Sequence, residues 1–145
     1  LESACLRLDY GPWDEGRGEL ADVRAAYAWA GGRYDRVSLF GYSFGGCLAL
    51  VAAARESAAG TPPERVVALS PAARLSEGID AVAAVDEIDC PVGIVYGERD
   101  TTVDAEAVAA RVRARGGRVE VMSADHHFVG QTPKVGELVA ELLSI

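Results

Sequence analysis

Strands and helices alternate along this chain, and several of the strands are apolar on every residue rather than on every second one. Residues 91–96 are the sharpest case: Val92, Ile94 and Val95 leave no polar face. A strand with one wet side alternates, whereas a strand covered on both sides does not. The pattern predicts an α/β fold, a mostly parallel sheet of about five strands with helices on both faces. Strands are expected at residues 4–8, 37–40, 66–69, 91–96 and 119–122. Helices are expected at 18–30, stopped by Gly31-Gly32, and at 44–59, apolar nearly all round and therefore buried. A further helix at 105–115 has Asp104 as N-cap and Gly116-Gly117 as stop. The last helix starts at Thr132-Pro133. The longest irregular stretch, 70–89, holds one weak helical piece at 79–85.

The chain has 145 residues, room for one domain over 1–145. Asp plus Glu number 22 and Lys plus Arg 14, a net charge of -8 that argues against nucleic acid or anionic lipid as a partner. Lys134 is the single lysine against thirteen arginines. That bias fits either a salt-adapted host or GC-rich codons. No apolar run reaches the length of a membrane span. Cys5, Cys47 and Cys90 are far apart, each in an apolar run, with no metal-ligand spacing. They read as three small core residues in a reducing, cytoplasmic compartment. No cofactor or metal is called for.

In a parallel sheet, ligand chemistry belongs in the loops at the carboxyl ends of the strands. The loop after the second strand reads Gly41-Tyr42-Ser43-Phe44-Gly45-Gly46. This is G-x-S-x-G between a strand and a helix, a turn tight enough to strain its serine and to favour small residues at Gly41 and Gly45. It lifts the Ser43 hydroxyl clear of the sheet and points the Phe44 amide at a developing oxyanion. The segment is not G-x-G-x-x-G, which removes a dinucleotide-binding reading. A serine hydroxyl needs a base, and the base an orienting carboxylate. Asp100 follows the fourth strand, and His126 and His127, the only histidines, follow the fifth. The order Ser43, Asp100, His126 is the one the elbow motif predicts. Rivals are His127 as base, and Asp104 or Asp125 as acid. Asp104 is better explained as an N-cap, and Asp125 as a sequence neighbour whose side chain diverges from that of His126. Tyr10, Trp13 and Tyr42 are candidates for an acyl pocket, or are simply core. Arg99 either lowers the pKa of Asp100 or faces water.

On these segments the chain resembles the α/β-hydrolases, and is similar to their small serine esterase and dienelactone-hydrolase-like members. Gly97 to Val103 matches the family's G-x-x-D-x-x-V acid segment, and Ala124 to Phe128 its A-D-H-F-F histidine segment. The stretch from Arg7 to Gly16 resembles its D-x-R-G-x-G-x-S loop. Dienelactone hydrolases proper carry cysteine where Ser43 stands, so the resemblance implies ester or acyl hydrolysis rather than dienelactone chemistry. It implies a small-molecule acyl substrate cleaved through an acyl-enzyme by Ser43, His126 and Asp100. Acyl-peptide hydrolysis, thioester hydrolysis and a non-catalytic scaffold on the same fold are the alternatives. The family's second oxyanion donor comes from a loop preceding the segment at Leu1. The chain is therefore expected either to lack the domain's N-terminal strands or to be a minimal form. One missing donor costs on the order of 10²–10³ in rate.

Overall fold

The computed structural model describes residues 3–144, so Leu1, Glu2 and Ile145 of the expected domain lie outside the described residues. Four strands form one fully parallel sheet in the order β1-β2-β5-β6: β1 (Leu39–Tyr42), β2 (Val66–Leu69), β5 (Val92–Gly97) and β6 (Arg118–Met122). The central pair, β2 and β5, is buried at every residue, which is why neither alternates in sequence.

Successive residues of these strands point to opposite faces, and each face has its own core. Val66, Ala68, Ile94 and Tyr96 pack under α1 (Arg17–Gly31), α2 (Phe44–Ala58) and α4 (Ala105–Ala114). Val67, Leu69 and Val95 pack under Val135 and Leu142 of α5 (Thr132–Ser144). Helices thus cover both faces, as expected. Helix α2 is the best buried, with Cys47, Leu48, Leu50, Ala52 and Ala53 all sealed from solvent. No described helix is long and apolar enough to cross a membrane.

Three expectations are corrected. Residues 4–8 form no strand and lie mostly exposed, Leu6 at 56 %. Their composition suits a strand, but a strand exists only where a neighbour completes its ladder, and the described residues supply none. The main sheet therefore has four strands. The same exposure corrects the cysteine reading: Cys47 is buried, Cys90 half-buried and Cys5 exposed, all three free. The helical piece expected at 79–85 is shorter. Ile79–Asp80 instead forms β4, paired antiparallel with β3 (Arg74–Ser76) around Gly78 at φ 80°. Only Ala81–Ala84 (α3) and a 3-10 turn at Val85–Glu87 are helical. The Asp80 carboxylate accepts the Ala83 amide at 3.0 Å, so it caps α3 and fixes where the helix begins.

Candidate active site

The backbone at Ser43 carries the strain that its motif implies. Its φ of 54° and ψ of -114° lie outside the regions open to ordinary residues, a conformation costing of order 1–3 kcal/mol. Neighbouring strands hold it there. The Ser43 amide donates to the Leu69 carbonyl at 2.8 Å, and the Ser43 carbonyl accepts from Ala72 at 3.0 Å and Cys47 at 3.2 Å. A Cβ on Gly41 would lie 2.0 Å from the Gly45 carbonyl oxygen, so no other residue fits. Gly45 is less constrained, since a Cβ there would meet only the Tyr10 hydroxyl, at 3.2 Å. Gly46, which the motif does not specify, is tighter, with Pro71 Cα 3.0 Å away.

Ser43 sits at the N-terminus of α2. The Cys47 amide makes the first bond back to Ser43, so the amides of Phe44, Gly45 and Gly46 have no acceptor within the helix. This is the positive end of the helix dipole, suited to an oxyanion beside Ser43.

Ser43, His126 and Asp100 come from three separate strand ends and meet in one line. Ser43 Oγ lies 2.9 Å from His126 Nε2, and His126 Nδ1 lies 2.7 Å from Asp100 Oδ2. The histidine and aspartate side chains are nearly sealed, at 6 % and 3 % exposure. The other carboxylate oxygen, Asp100 Oδ1, accepts the amides of Thr102 at 2.9 Å and Val103 at 3.2 Å. Burial by itself would push this carboxyl up. The His126 ring and the two amides outweigh it and hold Asp100 below the ordinary carboxylate range.

The rival residues are occupied elsewhere. Asp104 caps α4 by accepting the Ala107 amide at 3.1 Å. Asp125 accepts the amide of His127 at 3.0 Å. The segment 122–128 alternates buried and exposed, so His126 points in while His127 points out. The His127 ring stands edge-on to His126, centroids 5.3 Å apart. Arg99 donates to the Ser123 hydroxyl and carbonyl rather than to Asp100.

The aromatic candidates divide. Tyr10 and Trp13 flank the Phe44 ring at 5.5 and 5.6 Å, forming a half-exposed aromatic rim at the start of α2. Burial and the nearby Glu19 carboxylate raise the Tyr10 pKa, keeping its hydroxyl protonated. Tyr42 instead turns to the histidine. Its hydroxyl donates to the His126 carbonyl at 2.9 Å, and its ring stacks on the imidazole. Gly97, read from sequence only as the head of the acid segment, also has a steric role that the sequence reading did not identify. A Cβ there would lie 2.3 Å from the Ala124 carbonyl oxygen. Its signal was a glycine closing an apolar strand, the same placement as Gly41. Among the described residues no cluster of His, Cys, Asp and Glu could hold a metal ion.

The model of the dienelactone hydrolase family matches residues 13–140. The chain belongs to that family. No curated protein sequence matches it. Solved structures show the α/β-hydrolase fold of this family member. An α/β serine hydrolase homologue from Coxiella burnetii is similar at 27 % identity and a TM-score of 0.71, over 92 % of this chain and 62 % of its own. Est1E from Butyrivibrio proteoclasticus is similar at 19 % identity and a TM-score of 0.67, over 87 % of this chain and 70 % of its own. The Pyrococcus furiosus esterase Pf2001 is similar at 20 % identity and a TM-score of 0.68, over 88 % and 61 %. This dienelactone hydrolase family chain thus spans about 62 % of the length of the Coxiella protein.

Proposed function

We propose that this chain is a serine hydrolase that cleaves a small ester or related acyl compound through an acyl-enzyme. The observation that carries the reading is the buried line from Ser43 through His126 to Asp100, at 2.9 and 2.7 Å. It starts on a strained serine at a helix N-terminus. Family membership and the esterase similar in fold support the same class.

In this reading Ser43 Oγ attacks the ester carbonyl while His126 Nε2 takes its proton. Asp100 accepts the Nδ1 hydrogen, fixes the tautomer and offsets the imidazolium charge. The Phe44 amide donates to the tetrahedral oxyanion. His126 then gives its proton to the departing alcohol, leaving the acyl group on Ser43. Water repeats the sequence and restores the serine. The Tyr10, Phe44 and Trp13 rings form the rim on which the acyl group would rest. The cytoplasm is the proposed compartment on the sequence alone: three scattered cysteines with no pairing or metal-ligand spacing suit a reducing environment.

The test is labelling of the folded protein by a fluorophosphonate, together with turnover of a short p-nitrophenyl ester. Wild type should label on Ser43 and turn over, and Ser43→Ala should do neither while keeping its fold. Folded wild type that neither labels nor turns over would favour a non-catalytic scaffold.

A further inference from the structure

Tyr42 takes no part in the proton transfers described, yet it touches His126 twice. Its hydroxyl reaches the His126 carbonyl at 2.9 Å, and its ring lies against the imidazole, centroids 5.3 Å apart and planes 29° apart. Tyr42 and Ser43 are sequence neighbours, and both engage a histidine more than eighty residues away.

The sheet explains why such a link matters. Tyr42 and Ser43 stand at the end of β1, whereas His126 follows β6, three strands across in the order β1-β2-β5-β6. The hydrogen bonds at Nδ1 and Nε2 lie in the plane of the ring. They set its position along the line from Asp100 to Ser43, but resist rotation about that line only weakly. A second aromatic face blocks that rotation, and the bond to the carbonyl fixes the backbone from which the ring springs. An aromatic face also attracts a cation.

We propose that Tyr42 is the positioning residue of this site. It clamps His126 by face and backbone, and its π face favours the imidazolium that forms as the serine proton is taken. The clamp is a property of the folded histidine. Its catalytic consequence rests on the proposed hydrolase reading.

The other groups around His126 are Asp100 from the loop after β5, Ser43 from the end of β1, and Asp125 and His127 from its own loop. Replacing Tyr42 leaves all of these in place. Proton NMR of the His126 Nδ1–H that bonds Asp100 therefore reads the clamp without any substrate. Tyr42→Leu should speed exchange of that proton with water by about ten-fold, because a ring free to turn breaks its bond to Asp100 more often. It should also cut kcat by about ten-fold or more with little change in KM. Tyr42→Phe keeps the ring and loses the anchor, so the exchange should hold while kcat falls several-fold. A residue that merely fills space would leave the exchange in Tyr42→Leu unmoved. The proposal is overturned if that exchange is unchanged, or if both variants keep kcat/KM within about two-fold of wild type. Should Tyr42→Leu fail to fold, Tyr42→Phe decides: unchanged kcat in a folded protein overturns it. If Ser43→Ala retains full turnover, the hydrolase reading fails, and the proton exchange still decides the clamp.

Discussion

Gly97 and Ala124 approach so closely that a Cβ on the glycine would sit 2.3 Å from the Ala124 carbonyl oxygen. The contact joins the end of β5 to the loop after β6. It is reinforced where Glu98 donates to the Met122 carbonyl at 2.9 Å and Arg99 to the Ala124 carbonyl at 3.0 Å. Because Asp100 follows one of these segments and His126 the other, the approach sets their 2.7 Å bond.

Gly97→Ala should therefore cost about 2–3 kcal/mol of stability, since neither backbone can yield cheaply. Ester turnover in the folded fraction should fall by about 10² or more. Urea melts and p-nitrophenyl ester assays measure the two effects. Gly136→Ala is the control: nothing lies within 4 Å of a Cβ there, inside α5. That substitution should stabilise by about 0.5–1 kcal/mol.

The two elbow glycines should behave differently. Gly41→Ala places a methyl 2.0 Å from the Gly45 carbonyl oxygen and should abolish soluble, folded protein. Gly45→Ala meets only the Tyr10 hydroxyl at 3.2 Å, the end of a half-exposed side chain, and should fold. Circular dichroism on the purified pair checks this. A folded Gly41→Ala would contradict the elbow geometry.

Asp100→Asn should cut ester turnover by roughly 10³–10⁴, because an amide at that place no longer holds the required tautomer of His126. The same carboxyl bears on acid stability. Its folded pKa lies below the ordinary 3.8, so between those two values the unfolded chain binds more protons than the folded one. Its contribution is full above pH 3.8 and is lost as pH falls through the folded value. Denaturant melts of wild type and Asp100→Asn should thus differ by a constant amount above that pH and converge below it.

The three thiols should separate by reactivity at pH 8. Cys5 lies on an exposed segment and should react fast with a disulfide reagent. Burial pushes Cys47 up to about 12 and Cys90 up to about 11, so few of either are thiolates. Cys90 should react slowly and Cys47 only after unfolding. Cys5→Ser should remove the fast phase and nothing else.

The elements that were legible are those whose burial leaves a mark on local sequence. Strands β2 and β5 and helix α2 are covered on all sides, and their unbroken apolar runs say so. The β3–β4 hairpin was not legible, because its signal is one turn glycine, Gly78, among polar residues. Residues 4–8 misled for the opposite reason: their pattern suits a strand, but no pattern supplies a neighbour. That Ser43, Asp100 and His126 lie close together was legible because each stands at a strand end in a recognisable segment. Tyr42 looked like a pocket or core residue, since its contact with His126 spans the width of the sheet.

The sequence by itself determined the parallel covered sheet, the strained turn at Ser43 and the three strand-end loops. Each of those is encoded within about ten residues, through hydrophobic period, glycine placement and capping. Only the tertiary structure decided that His126 rather than His127 faces inward, that Asp104 and Asp125 are spent on backbone amides, and that Tyr42 stacks on the histidine. Those outcomes depend on which side chain meets which partner across the strands, and a linear pattern carries no such distance.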